Sequence, residues 1–150
     1  MTRSPVRYVV DASIGIKLFV EEEFSEQAHA LFSHLAADPP AELYVPDLFY
    51  IECTNILLKY TRRFGRSLED SQADLADLGR LALRITSAAD LMERSLLLAK
   101  KFDLSAYDAC YAVLAGQLEI HLVTADQPLA GKLDSAVFLG DVDISMWQEE

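Results

Sequence analysis

The chain has 150 residues, the size of one domain, and 51% of them are hydrophobic, enough for a sizeable core. Its 24 acids against 13 Lys and Arg give a net charge of -11, which excludes a generic basic coat for nucleic acid. No apolar stretch reaches the roughly 18 residues a membrane span needs, and no signal peptide opens the chain, so a cytoplasmic protein with no membrane contact is expected.

The pattern alternates strand and helix, with no repeat or linker. Val6–Val10 is a short, mostly β-branched strand that stops on Asp11. Ala12–Val20 reads as a helix with Ile14, Leu18 and Phe19 apolar. Phe24–Ala37 reads as a second, with Ala28, Leu31, Phe32 and Leu35 on one face, ended by Pro39-Pro40. The run Glu21-Glu22-Glu23 between them is expected to be a solvated turn.

Leu43–Val45 is the second strand. A helix follows from Pro46-Asp47 to about Phe64, with Gly65 placed as its C′ residue behind Arg62 and Arg63. Ser67-Leu68-Glu69-Asp70 opens the next helix with a capping pattern, and Leu83–Thr86 is a short strand. Ser87-Ala88-Ala89-Asp90 repeats the pattern before a helix to about Phe102, and Ser105-Ala106-Tyr107-Asp108 before one to about Gln117. Ile120–Thr124 is a strand, Pro128–Leu133 a short helix and Ala136–Leu139 a last strand. The ring of Trp147 in the tail is expected to pack against the body.

Helices between strands predict a single three-layer α/β/α domain over residues 1–150, with a central, mostly parallel sheet of four to five strands. Cys53 and Cys110 are expected as buried free thiols. His29, His34 and His121 lack the spacing of a metal site.

Ligands of open parallel sheets bind outside the carboxyl ends of the strands. Four acids fall there. Asp11 and Asp126 follow strands directly, and Glu52 lies one to two turns into the helix after the second strand. Asp108 starts the helix that runs back to the fourth strand. Asp11 and Asp126 each also suit a helix cap, and Asp108 ends a Ser-x-x-Asp capping pattern. Glu52 stands out because it sits in the apolar stretch "LFYIECTNILLKY", where a charge needs a partner. Asn55, one turn on, is the expected partner, unless the two mark the solvent stripe of a half-buried helix. Four ionised carboxylates in one pocket need a compensating cation, and Mg²⁺ or Mn²⁺ suits oxygen ligands.

The segments "YVVDAS", "YIECTNIL", "LSAYDACYAVLA" and "LVTADQPL" occur in that order, and together they resemble the PIN-domain family, in particular its VapC-type toxin ribonucleases. The family's acidic quartet falls on Asp11, Glu52, Asp108 and Asp126. Its small hydroxyl residue falls on Ser13, and the Thr before the last Asp on Thr124. The resemblance implies an endoribonuclease using one or two Mg²⁺ or Mn²⁺ ions, a cognate antitoxin and a homodimer. In that mechanism Asp11 and Asp108 are core ligands, with Glu52 and Asp126 holding metal directly or through water. Ser13, Asn55 and Thr124 orient them from behind.

Two other readings compete: a non-catalytic PIN-like module that binds RNA or protein, and another α/β metal-dependent phosphoesterase. A dehalogenase-type phosphatase needs an Asp where Ser13 stands, and a receiver domain needs paired acids before the first-strand Asp. Lys59, Arg62, Arg63 and Arg66 form the densest basic patch. They suit either RNA backbone contact or the negative end of their helix.

Overall fold

The structure is a computed structural model and describes residues 4–143. The expected packing of Trp147 lies outside those residues. Five strands form one sheet in the order β3-β2-β1-β4-β5, with every neighbouring pair parallel. They are β1 Arg7–Val10, β2 Glu42–Pro46, β3 Arg84–Thr86, β4 His121–Thr124 and β5 Ala136–Phe138. Seven α-helices connect them: α1 Ala12–Gly15, α2 Ser25–Ser33, α3 Leu48–Arg63, α4 Leu68–Arg80, α5 Met92–Phe102, α6 Ala106–Leu118 and α7 Gln127–Lys132. The chain builds outwards from β1 to β3, then returns across the sheet to β4 and β5. Right-handed crossovers therefore put helices on both faces, the α/β/α arrangement expected from the sequence.

The three capping predictions hold in part or whole. Ser67 Oγ accepts from the amide of Asp70 and Ser105 Oγ from that of Asp108, both at 3.0 Å. Ser87 Oγ instead accepts from Ala89, and the chain makes a 3₁₀ turn over Ala88–Leu91 before α5 begins. The first two helices are shorter than their periodicity suggests. Each tightens into a 3₁₀ turn, at Ile16–Leu18 and His34–Ala36, as helix C-termini often do. Gly65, at φ +70°, takes the left-handed C′ position expected of it.

The core lies on both faces of β1, β2 and β4. Val9, Val10, Leu43, Val45, Leu122 and Val123 are inaccessible to solvent. Against them α6 is buried continuously from Ala109 to Ala115, so its apolar run has no solvent stripe. On α3, Phe49, Cys53 and Leu57 form a buried row at four-residue spacing. Gly15 makes that row fit: a Cβ there would stand 2.7 Å from the Phe49 ring, so α1 and α3 approach as closely as they do only because position 15 has none. Cys53 and Cys110 are both buried and free.

The Glu21–Glu23 run is not simply a solvated turn. Glu22 accepts from the buried Lys17 ammonium at 3.1 Å and from the Tyr60 hydroxyl, and so ties the segment after α1 to the far end of α3. No helix among the described residues is long and apolar enough to cross a membrane.

Candidate active site

The strand order reverses between β1 and β4, and the register sets Val10 beside Val123. The residues that leave these two strands, Asp11 and Thr124, therefore emerge side by side at the carboxyl edge, where open α/β sheets form their crevice. Ser13 bridges them. Its hydroxyl donates to Asp11 Oδ1 at 2.5 Å, lies 3.5 Å from the Thr124 hydroxyl, and accepts from the amide of Ala125 at 2.9 Å. Thr124 Oγ1 in turn accepts from the amide of Asp126 at 3.1 Å. One hydrogen-bonded chain thus runs from the first acid to the last across 115 residues of sequence.

Asp11 is only 6% exposed. Burial pushes its carboxyl up to about 6, the Ser13 and Thr124 hydroxyls pull it back, and the charge of Asp108 pushes it up further. Glu52, half-buried on α3, is also raised, first by burial; a hydrogen bond from Tyr111 opposes the rise and Asp108 adds to it. Asp108, half-buried in the first turn of α6, is raised by burial and by Asp126. Its neighbours Ser105 and Lys132 hold it down. Asp108 is thus the hub through which the repulsions of the other three carboxylates meet. Cys53, next to Glu52, is driven up to about 12 by burial and by the Glu52 and Asp11 charges, which keeps it a thiol and not a ligand or nucleophile.

Asp126 plays the capping part that its sequence context allowed. It is exposed, and its Oδ1 accepts from the amide of Leu129 at 3.0 Å at the start of α7. Asn55 departs from expectation. It is exposed on α3, and the partner of Glu52 is the phenol of Tyr111, which donates to Oε1 at 2.5 Å. The helical period explains this: Glu52 sits beside the buried row of Cys53, whereas position 55 has turned past it to solvent. The expected apolar cage is also thinner than the sequence suggests, because Ile51 is 71% exposed. Sequence reasoning missed Tyr111. The signal was its place three residues after Asp108, on the same face of a helix otherwise filled with small apolar side chains.

The donor set, tested for fit, is all carboxylate and hydroxyl oxygen, the chemistry a hard divalent cation takes. Among the described residues no Lys or Arg forms an ion pair with the quartet. Lys132 influences Asp108, but its ammonium donates to the carbonyl of Asp103 at 2.7 Å. Among the described residues the negative charge gathered here has no ion-paired partner, and a cation fits that need. Among the described residues, no three or more His, Cys, Asp or Glu side chains stand close enough together to hold a metal ion as they are placed. Glu52 spends one oxygen on Tyr111 and Asp126 one on its cap. The quartet shares one edge of the sheet without forming a cage.

Residues 8–131 match the PIN domain family. Ribonuclease VapC3 of Pyrobaculum aerophilum is 36% identical over 135 residues, which cover 88% of this chain and 98% of that protein. Among solved structures, the crystal structure of PAE2754 from Pyrobaculum aerophilum superposes with a TM-score of 0.72 at 25% identity, over 97% of this chain and 98% of the other. A toxin-antitoxin complex from Klebsiella pneumoniae contains a chain of the same fold, with a TM-score of 0.64 at 19% identity, over 90% of this chain and 99% of that one.

Proposed function

The chain belongs to the PIN-domain family, and from that premise we propose that its 150 residues form one PIN domain acting as a divalent-cation-dependent endoribonuclease, the toxin of a toxin–antitoxin pair. The observation that carries the proposal is that the Asp108 charge acts on both Asp11 and Glu52, beside the switch point between β1 and β4. The 36% identity to a ribonuclease supports the reaction class. Raised carboxylates with no ion-paired partner among the described residues favour this reading over a passive binding module, because such groups are costly unless they hold something.

Asp11, Glu52, Asp108 and Asp126 are the residues that would hold Mg²⁺ or Mn²⁺. A bound divalent ion supplies Lewis-acid activation of water and neutralises charge on the scissile phosphate. This chain's own residues do the rest. Ser13 and Thr124 fix Asp11 from behind, which holds its carboxylate at the strand end without a flexible linker. Asp126 keeps α7 in place through its cap while its charge acts on Asp108. The half-burial of Glu52 and Asp108 limits water around the reacting phosphate and so strengthens every charge interaction there.

The partners are RNA as substrate, an antitoxin and a second copy of the chain. Exposed Met92, Leu96 and Leu97 on α5 supply apolar surface for protein contact. The negative edge favours an antitoxin that brings a basic side chain to it. Cleavage of RNA by the purified protein, with Mg²⁺ or Mn²⁺ and then with EDTA, tests the proposal. Cleavage that persists in EDTA, or that survives Asp11→Asn and Asp108→Asn, overturns it.

A further inference from the structure

Tyr111 is the largest fully buried side chain of the core, with 1% of its surface exposed. Its ring is clamped in the continuously buried stretch of α6, so its hydroxyl is a fixed point of the structure. Among the described residues that hydroxyl makes one hydrogen bond, to Oε1 of Glu52, across 59 residues of sequence. Glu52, by contrast, has a flexible side chain with three rotatable bonds. It caps no helix, it forms no ion pair among the described residues, and the bond from Tyr111 is the only side-chain hydrogen bond it makes among them.

A buried tyrosine needs a partner for its hydroxyl, and Glu52 would serve that need alone. The chemistry also runs the other way. Outside the protein a glutamate samples many rotamers, and fixing one costs conformational entropy that a ligand would otherwise have to supply. A rigid donor that occupies one carboxylate oxygen removes most of that freedom in advance and leaves the second oxygen for another partner. Ligating carboxylates are commonly held in this way by hydrogen bonds from behind.

We propose that Tyr111 is a positioning residue for the cation site: its buried phenol fixes the Glu52 carboxylate in the orientation that serves the acidic edge, with Oε1 spent on the phenol and one oxygen left for the ion. The proposal rests on the reading of the quartet as cation ligands. It makes Tyr111 and Glu52 one functional unit spanning α3 and α6. Ser13 and Asp11 form the corresponding unit at β1. Asp11 and Glu52 are then each backed by hydroxyls.

The test is Mn²⁺ binding to the purified full-length protein, followed by electron paramagnetic resonance of the free ion, with thermal unfolding in EDTA as the control for folding. Tyr111→Phe keeps the ring and removes the hydroxyl. It is expected to weaken Mn²⁺ binding by about 10–100-fold, the usual effect of losing a partner behind a metal ligand. In a Glu52→Gln background, adding Tyr111→Phe is expected to cause no further loss, since the phenol acts only through that carboxylate. Wild-type affinity in Tyr111→Phe, or an equal further loss in the double variant, overturns the proposal. If Tyr111→Phe does not fold, Glu52→Asp draws the carboxylate away from an intact Tyr111; the same weakening supports the proposal and unchanged affinity overturns it. The underlying cation reading fails separately: it falls if wild type and Asp108→Asn bind Mn²⁺ equally or not at all, and the role of Tyr111 falls with it.

Discussion

The acidic edge has an inner half and an outer half. Asp11 and Glu52 are held by hydroxyls, Ser13 and Tyr111, within tertiary structure that exists only in the folded chain. Asp108 and Asp126 stand at helix starts, where local turn chemistry fixes the backbone: Ser105 caps the turn that carries Asp108, and Asp126 caps α7 itself. The inner pair costs folding free energy when ionised and is placed by the fold regardless. Asp126 helps form its own helix, whereas Asp108 leaves the cap of its turn to Ser105 and, like the inner pair, is raised by burial. Residues that the fold must support at a cost are the ones whose arrangement packing does not explain, so the comparison puts the functional weight on the inner half and its hub, Asp108.

The largest expected effect follows directly. Asp11→Asn is nearly isosteric, keeps the Ser13 contact and removes the charge. RNA cleavage should fall by more than the about 10–100-fold typical of changes behind a metal ligand, while circular dichroism stays that of wild type. Equal losses for Asp11→Asn and Asp126→Asn would erase the distinction between the two halves. Next in size is the dependence of cation binding on pH. With its carboxyl raised to about 6, mainly by burial, Asp11 is about one-tenth ionised at pH 5 and fully ionised at pH 8. Protons compete with the ion, so Mn²⁺ affinity should weaken about tenfold between pH 8 and pH 5 from this group alone. A flat profile in calorimetry would show that Asp11 is not a ligand.

The same shift has a stability consequence of opposite sense. The folded-state value of Asp11, about 6, lies above the unfolded 3.8. The folded protein therefore holds its proton more tightly, and stability is lost as pH rises from 3.8 through about 6. Above that the loss is complete, at about 3 kcal/mol. In EDTA at pH 8, Asp11→Asn should be more stable than wild type by up to that amount, and the gap should close as pH falls towards 4. Urea unfolding at several pH values measures it. An inactive variant that is more stable than its parent would mark the inner half as a site held at the expense of stability.

A smaller effect tests how the inner half is placed. Gly15→Ala puts a Cβ 2.7 Å from the Phe49 ring. The ring is fully buried, so it must move within the packed core or carry α3 with it, at about 1–3 kcal/mol. Because Phe49 lies one turn before Glu52, the variant should also weaken cation binding, whereas an equally destabilising change far from α3 should not.

The legibility of the chain divides along the same line. The outer acids could be read as caps because Ser-x-x-Asp and Asp-x-Pro are local signals, decided by residues within one turn. The alternation of strands and helices was equally local, and with the handedness of crossovers it was enough for the fold class. The site's inner half needed registers no short window contains. That Asp11 faces Thr124 depends on β1 pairing with β4, and that Glu52 meets Tyr111 instead of Asn55 depends on how α3 rolls over Gly15. The 3₁₀ turns after α1 and α2 were hidden for the same reason, since an apolar period of 3.6 continues through a tightened turn. Glu22, read as solvated, is bound by Lys17 and Tyr60 through contacts 5 and 38 residues away.

The smallest effect separates the two things one side chain does in the outer half. Asp126 accepts from the Leu129 amide and contributes charge to the edge. Asparagine caps helices about as well as aspartate, so Asp126→Asn should leave stability unchanged and weaken Mn²⁺ binding. Asp126→Ala loses both, and should cost about 1 kcal/mol in addition. If the two variants are equally stable, the cap contributes nothing and the position of α7 is set by Leu129 in the core. If they bind Mn²⁺ equally well, and as well as wild type, Asp126 is a cap alone and the edge works with three carboxylates, two of them backed by hydroxyls.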